Sequence, residues 1–146
     1  GEPEHVEPFQ SQALYAGLQN LILTGFIPNA DLPLYQAACD ILLMPYQQQV
    51  EASSGGDISR YLSPMKLFEY LACGRAIISS SLPVLLEVLN DQNSVLLPMD
   101  QPAAWVEAVQ HLLDHPELRD QLSASARRDA QLYTWEMRAK KILQGL

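Results

Sequence analysis

The residues with the clearest chemical potential lie in one stretch, residues 63–81, which reads SPMKLFEYLACGRAIISSS. Ser63 followed by Pro64 predicts a helix start, because serine caps helices and proline suits the first helical position. A helix start presents unpaired N–H groups and the positive end of the helix dipole, where an anion such as a diphosphate binds. Lys66 would add a positive charge there. An ionised Glu69, three residues on, could accept hydrogen bonds from two vicinal hydroxyls, as on a ribose.

The spacing of Lys66 and Glu69 has a simpler interpretation, a helix-surface ion pair worth about 0.2–0.5 kcal/mol. From spacing alone, this interpretation is favoured over a ligand site. The polar segment just upstream, residues 47–59, has no periodicity and contains Gly55, Gly56 and Asp57. A segment of this length is typical either of a binding loop or of a mobile surface loop.

The elements that must position this stretch follow from apolar runs and helix-end signals. Strands are predicted at residues 21–24, 40–44, 76–79 and 94–97, and helices at residues 3–16, 29–39, 63–74, 80–89, 101–114 and 116–133, with a last one after Thr134. Asn29, Ser63 and Thr134 are the predicted N-caps, and Gly74 ends the central helix.

This alternation of short apolar strands with helices predicts an α/β fold. The predicted architecture is a Rossmann-like parallel sheet of about four strands with helices on both faces. Ligands of such sheets bind beyond the carboxyl ends of the strands, and residues 63–81 adjoin two of those ends. In the central helix, Met65, Phe68 and Ala72 form the predicted buried stripe, with Leu67 and Leu71 beside it.

Other side chains give no second chemical template. Cys39 and Cys73 lie in apolar segments, which favours buried thiols over a disulfide, and two cysteines provide no zinc ligand cluster. Trp105 and Trp135 sit at helical spacing among apolar residues and are predicted to anchor the core. The sequence has no glycine–x–serine–x–glycine elbow, no lysine-bearing phosphate loop and no dinucleotide-binding glycine fingerprint.

The charge distribution narrows the choice of ligand and of binding residues. The net charge of −8 argues against a general nucleic-acid binder, whose surface attracts phosphates. No Lys or Arg occurs before Arg60. An anion held by side-chain charge must therefore use Arg60, Lys66, Arg75 or the C-terminal helices.

Three collinear motifs resemble one family of enzymes. The stretch SPMKLFEYLACGRAIISSSLPVLLEVL resembles the donor-site motif of retaining glycosyltransferases of GT-B family 4, also called glycosyl transferases group 1. GFIPNADLPLYQAACDILLMPY is similar to the family's segment of a glycine, a helix, an aspartate, a strand and a proline, and YTWEMRAKKIL to its tryptophan-bearing closing helix. The resemblance covers residues 1–146 and implies a C-terminal, nucleotide-sugar-binding domain.

The resemblance implies a set of site residues but no catalytic residue and no metal ligand. Nucleotide-sugar binding is assigned to Ile27, Ser63, Pro64, Met65, Lys66, Leu67 and Glu69, and contact with the transferred sugar to Gly55, Gly56 and Asp57. Glu69 matches the glutamate that binds the donor ribose. The backbone of residues 64–67 would meet the diphosphate, with Lys66 as an extra charge, and the backbone of Ile27 would meet the base.

The sequence departs from the family pattern in two places. The family often has a further glutamate, which touches the sugar, eight positions before the ribose-binding one, and Tyr61 stands there. The family's donor domain also begins with a strand, a basic loop and a second strand that have no counterpart here. We therefore expect residues 1–146 to be a partial donor domain, without the N-terminal acceptor domain and inactive alone.

The implied function is retaining transfer of a hexose from a nucleotide diphosphate sugar to a glycan or lipid acceptor, without a cofactor or catalytic metal. The alternatives are a nucleotide-sugar epimerase of the same fold and a non-catalytic nucleotide-binding or scaffold module. The expected partners are the nucleotide sugar and an acceptor held by the N-terminal domain, with no nucleic acid. The expected location is the cytoplasm, including the inner membrane face if the N-terminal domain contacts lipid.

Overall fold

The computed structural model of the chain describes residues 3–47 and 64–145. By internal contacts, the chain divides into two compact units, Gly1–Tyr35 and Gln36–Leu146. The assignments to Gly55, Gly56, Asp57 and Ser63 fall outside the described residues. The other assigned residues, Ile27, Pro64, Met65, Lys66, Leu67 and Glu69, lie within the described ranges.

The first unit contains helix α1, Pro3–Tyr15, as the sequence predicts. Gly17 follows the helix end, and its φ of 68° is the left-handed conformation that glycine adopts most easily. The predicted strand at residues 21–24 is wrong, because these residues pair with no described strand and Ile22 is 84% exposed. A short apolar run becomes a strand only where a neighbouring strand completes its hydrogen bonds.

Helix α2, Leu32–Ala38, starts later than the predicted cap at Asn29. The N–H groups of Asp31 and Leu32 both donate to the carbonyl of Pro28, so a turn precedes the helix. Pro33 explains the shift, because it has no N–H and is accommodated only in the first turn of a helix.

The second unit is built on a parallel sheet of three described strands. These strands are β1 (Ile41–Met44), β2 (Ala76–Ser80) and β3 (Val95–Leu97), in the order β1-β2-β3. In the register, Met44 pairs with Ser79 and Ser80 with Leu97, so the carboxyl ends of the strands lie together. The parallel sheet is confirmed, with three described strands where about four were predicted.

Helices cover both faces of this sheet. They are α3 (Met65–Cys73), α4 (Pro102–Asp114) and α5 (Pro116–Ala130). A 3-10 turn (Gln131–Tyr133) then leads into α6 (Trp135–Gln144), which has no buried residue. Thr134 caps α6 as predicted, since its hydroxyl accepts from the N–H of Met137 at 3.2 Å. In the ranges 3–47 and 64–145, no helix is both long and apolar enough to span a bilayer.

Two apolar clusters lie on opposite faces of β2, whose five residues are all buried. Ile77 belongs to one cluster with residues of α3, and Ile78 belongs to the other with Leu112 of α4. Helix α5 contributes to both, because Ala126 packs in the first cluster and Leu122 in the second. The predicted cover of helices on both faces is therefore confirmed for this unit.

The predicted helix at residues 80–89 is replaced by consecutive turns. Carbonyls of Leu82 and Leu85 accept the hydrogen bonds of these turns. The buried side chain of Asn93 then ends the run, because its amide donates to the Val88 carbonyl at 3.1 Å and its oxygen accepts from the Asn90 N–H at 2.9 Å. The apolar spacing could not reveal this side-chain competition for the backbone.

Two core predictions are also wrong. Trp135 is 74% exposed, although Trp105 is half-buried against the second cluster and donates its indole N–H to the Pro98 carbonyl at 3.0 Å. Cys39 is exposed and Cys73 is half-buried, so neither thiol lies in the core. Trp135 is the first residue of α6, and Cys39 directly follows the last residue of α2, so both lie at helix ends.

Candidate functional site

The candidate site is the exposed side of α3. The helix starts at Met65, one residue later than predicted. Pro64, predicted as the first helical residue, is instead the N-cap and has extended backbone. The N–H of Leu67 donates to the Pro64 carbonyl at 3.0 Å, and no side chain of the described residues caps this end. The N–H groups of Met65 and Lys66 are therefore the first-turn donors that an anion would meet.

The burial of α3 fixes which residues face outward. Leu67 is 2% exposed and Leu71 is fully buried, whereas Met65 is 62% exposed. Ala72 is also exposed, so the predicted buried stripe of Met65, Phe68 and Ala72 is wrong for its two ends. The stripe is centred on Leu67 and Leu71, one turn apart, and the residues opposite it include Lys66 and Glu69.

The C-terminus of α3 is held tightly. Gly74 adopts a φ of 60° and donates its N–H to the Leu71 carbonyl at 3.1 Å, as the predicted glycine stop requires. A Cβ atom at this position would lie 3.1 Å from the Cβ and Cδ atoms of Arg127 on α5. Both the backbone conformation and the close approach of α5 therefore favour glycine here.

Lys66 and Glu69 do not form the surface ion pair that their spacing allows. In the described part of the chain, the ion pairs within 4.0 Å join Arg119 to Asp40 and Lys140 to Glu136. Both Lys66 and Glu69 are exposed. The structure thus leaves both charges directed to solvent on one face of α3, available to a ligand.

Glu69 has a neutral partner instead, supplied by α2. The side-chain amide of Gln36 donates from Nε2 to Oε2 of Glu69 at 3.3 Å. The Sγ of Cys73 in turn donates to Oε1 of Gln36 at 3.1 Å. A chain of hydrogen bonds therefore runs from the end of α3, through α2, to the carboxylate in the middle of α3.

The titratable groups around Glu69 stay protonated at neutral pH. Burial raises the pKa of the Tyr70 phenol, and the charges of Cys39, Tyr46, Glu69 and Cys73 raise it further. Burial likewise raises the pKa of the Cys73 thiol, with a smaller contribution from Glu69 and an opposing one from Arg75. Cys73 is therefore a hydrogen-bond donor here, as its contact with Gln36 requires.

Alkylation of Cys73 tests this arrangement. In a Cys39→Ser background, we expect iodoacetamide to react with Cys73 at a midpoint pH above the ordinary thiol range, because the thiolate is the nucleophile and its formation is disfavoured. Glu69→Gln removes one cause of the shift and should lower the midpoint, whereas the exposed control Glu87→Gln should leave it unchanged. Rates followed by mass spectrometry from neutral to alkaline pH decide this, and a midpoint that Glu69→Gln leaves unchanged would contradict it.

The polar residues at the carboxyl edge of the sheet are engaged by the backbone. The hydroxyl of Ser80 donates to the Tyr46 carbonyl at 2.7 Å, and that of Ser81 donates to the Leu97 carbonyl at 3.1 Å. Arg75 donates from its guanidinium to the Ala37 carbonyl, which ties the end of α2 to the start of β2. Arg75 is one of the cations that the sequence offers for binding an anion, but its guanidinium already contacts the backbone. Arg60, another of them, lies outside the described ranges.

A concave feature lies beside the first turn of α3. This pocket, of about 260 Å³, is lined by Met65, Phe68, Leu132, Tyr133, Trp135, Arg138 and Lys141. The rings of Phe68 and Tyr133 are 5.4 Å apart, and the Arg138 guanidinium lies 5.5 Å from the Trp135 ring. Its walls are apolar, with two cations, which distinguishes it from the polar face that carries Glu69.

Comparison with known proteins places the chain in a family. The family model described as glycosyl transferase-like matches residues 8–144. The chain belongs to this glycosyl transferase family. The resemblance inferred from the sequence motifs is therefore confirmed at the level of the family.

Individual relatives agree with the family and with the fold. A D-inositol 3-phosphate glycosyltransferase of Jonesia denitrificans is 30% identical over 147 residues, which cover 98% of this chain and 31% of that protein. The sucrose-phosphate synthase of Thermosynechococcus elongatus matches with a TM-score of 0.76 at 21% identity, over 97% of this chain and 33% of that one. Anabaena HepE in complex with UDP matches with a TM-score of 0.75 at 17% identity, over 98% of this chain and 37% of that one.

These matches show a GT-B fold for a chain that spans about a third of the length of its relatives. Within it, Pro64, Met65, Lys66, Leu67 and Glu69 lie together on or beside α3. The buried side chain of Leu67 leaves only its backbone for a ligand. Ile27 lies in the first unit, half-buried in a stretch without regular structure.

One residue of the candidate site, Gln36, could not be identified from the sequence motifs. It precedes Glu69 by 33 positions and belongs to a different helix, so no local spacing links the two. A glutamine on a helix is also among the least distinctive residues, because it is a common surface residue there. Only the folded structure reveals the contact.

Proposed function

We propose that this chain is the donor-binding part of a glycosyltransferase that transfers a hexose, with retention of configuration, from a nucleotide diphosphate sugar to a glycan or lipid acceptor. The observation that carries the proposal is the outward face of α3. At the start of α3, no side chain among residues 3–47 and 64–145 caps the helix, and Lys66 is exposed there. The carboxylate of Glu69, one turn later, is exposed as well. The complexes of Anabaena HepE with UDP and with UDP-glucose support this choice of ligand.

In this proposal, the start of α3 binds the diphosphate. The N–H groups of Met65 and Lys66 and the ammonium of Lys66 would meet the phosphate oxygens. When the bond between the sugar and the diphosphate breaks, negative charge builds up on the leaving phosphate. Donors fixed in advance on a helix stabilise that charge more than the ground state, which lowers the barrier. The proposed reaction uses no catalytic metal.

Each remaining part of the nucleotide sugar is assigned to its own residues. Glu69 would accept hydrogen bonds from the ribose hydroxyls, since an ionised carboxylate is acceptor-only and has two oxygens for two hydroxyls. Ile27 is proposed to contact the base through its backbone. Ser63 is proposed for the diphosphate, and Gly55, Gly56 and Asp57 for the transferred sugar, on the strength of the sequence motifs.

Titration with nucleotides tests the binding proposal. UDP, GDP, ADP and dTDP are titrated into the full-length protein by calorimetry, and we expect one of the ribose-bearing diphosphates to bind. Glu69→Ala should raise the dissociation constant of that nucleotide by about five- to tenfold, because a hydrogen bond to a charged group is lost. The exposed control Glu87→Ala should bind as the wild type does. Absence of nucleotide binding would favour the scaffold interpretation.

A product assay then separates transfer from epimerisation. The full-length protein is incubated with labelled nucleotide sugar and with candidate glycan and lipid acceptors, in the presence and absence of EDTA. We expect labelled acceptor at an equal rate in both conditions. Label that remains on the nucleotide, with an inverted sugar carbon, would instead identify an epimerase, and a rate abolished by EDTA would contradict the metal-free proposal.

A further inference from the structure

Gln36 makes the one hydrogen bond that joins α2 to the carboxylate of Glu69 among the contacts of the described residues. Its Nε2 lies 3.3 Å from Oε2 of Glu69, and its side chain is half-buried although Glu69 itself is exposed. A half-buried donor loses fewer conformations on making a contact than a fully exposed one, because neighbouring atoms already restrict it. Gln36 is therefore suited to fix a carboxylate that is otherwise free to change rotamer.

The orientation of the Gln36 amide follows from its two partners. Ionised Glu69 can only accept, so it requires the NH2 end of the amide. The thiol of Cys73 donates at 3.1 Å and requires the oxygen end. Only one of the two amide orientations satisfies both contacts, so Cys73 selects the orientation in which Gln36 donates to Glu69.

The backbone next to Gln36 is also held in place. Arg75 donates from its guanidinium to the carbonyl of Ala37, the residue after Gln36. Cys73 and Arg75 flank Gly74, where α3 ends and the chain turns into β2. Both ties therefore come from the junction of α3 with the central strand, whose residues are all buried.

We propose that Gln36 is a positioning residue, which holds one oxygen of Glu69 so that the carboxylate faces the two ribose hydroxyls of the donor. This inference rests on the proposed function, in which Glu69 binds the ribose. Gln36 occupies Oε2 with one hydrogen bond, and each carboxylate oxygen can accept about two. Acceptor capacity for both hydroxyls remains, in an orientation that is fixed before the ligand arrives.

The test compares ribose discrimination in Gln36 and Glu69 variants of the full-length protein. The probes are UDP and 2′-deoxy-UDP, or the GDP or ADP pair if the nucleotide titration selects that base. In the wild type, the ribonucleotide should bind more tightly. The discrimination is the dissociation constant of the deoxynucleotide divided by that of the ribonucleotide. Gln36→Ala should reduce this ratio by about threefold, as expected when a hydrogen bond that orients a charged acceptor is lost. Gln36→Glu, which has the same shape but cannot donate when ionised, should reduce it at least as much.

A double-mutant cycle separates positioning from general stability. In a Glu69→Ala background, Gln36→Ala should change the ratio no further, because there is no carboxylate left to orient. The exposed residue Gln110, on α4, provides the matched control, and Gln110→Ala should leave the ratio at its wild-type value. If Gln36 had only a structural role, Gln36→Ala would weaken the binding of both nucleotides equally, with or without Glu69.

The outcomes for the two proposals are distinct. If Glu69→Ala removes the discrimination and the Gln36 variants retain it, the positioning role is wrong and the proposed ribose contact stands. If Glu69→Ala leaves the discrimination intact, the ribose contact itself is wrong and the role of Gln36 fails with it. Loss of discrimination in both single variants, with no further loss in the double variant, supports both.

Discussion

Replacement of Lys66 by alanine is expected to lower the kcat of the full-length enzyme by about 10²-fold, the usual effect of removing one fixed donor to a developing anion. In the proposed reaction the effect falls on kcat, because negative charge on the diphosphate would increase as the sugar leaves. Lys66 lies in the first turn of α3 and makes no ion pair with any described residue, so its charge is available to the phosphates of the proposed donor. Initial rates at saturating donor measure this directly.

Two variants control this prediction. Lys66→Arg retains the charge and should keep much of the rate, whereas Lys140→Ala removes an exposed lysine that is paired with Glu136 on α6 and should have no effect. If Lys66→Ala raises KM and leaves kcat unchanged, the lysine contributes only to binding of the ground state. If neither constant changes, the assignment of the diphosphate to the start of α3 is wrong.

Asn93→Ala is expected to destabilise the fold by about 2–4 kcal/mol, the range for removing a buried side chain with several hydrogen bonds. Asn93 is completely buried. Its amide donates to the Val88 carbonyl at 3.1 Å and to Asp129 at 2.9 Å, and its oxygen accepts from the Asn90 N–H at 2.9 Å. Alanine leaves these three groups without their partner in a place that water reaches poorly.

Chemical denaturation of the wild type and the variant gives the free-energy difference from the two midpoints and slopes. Asn90→Ala is the matched control, because Asn90 is exposed and its side chain accepts a single hydrogen bond, from the Gln92 N–H. Its loss should cost about 1 kcal/mol or less. Equal effects of the two substitutions would show that Asn93 does not brace the turn against α5.

Much of the second unit could be predicted from the sequence because its signals are local. The apolar runs of β1, β2 and β3, the glycine at position 74 and the cap at Thr134 each specify an element within a few residues. The face of α3 that carries Lys66 and Glu69 also followed from helical spacing alone. Such features need no knowledge of what packs against them.

Several features that could not be predicted depend on a distant partner. The apolar run at residues 21–24 has the composition of a strand, but a strand forms only with a neighbour to complete its hydrogen bonds. Gln36 acquires its role from Glu69, 33 positions away, and Asn93 from Asp129, 36 positions away. Periodicity indicates which face of an element is apolar, and it carries no information about which side chain a polar group meets.

The sharing of α5 between the two faces of the sheet has a consequence for how the site moves. Because Ala126 packs with the α3 cluster and Leu122 with the α4 cluster, neither face can open without disturbing the same helix. Local unfolding of α3 should then be nearly as unfavourable as unfolding the whole unit, and its amides should exchange with solvent at the slow, global rate. A donor that binds α3 would therefore meet a backbone already ordered, and little of its binding free energy would be lost to ordering that helix.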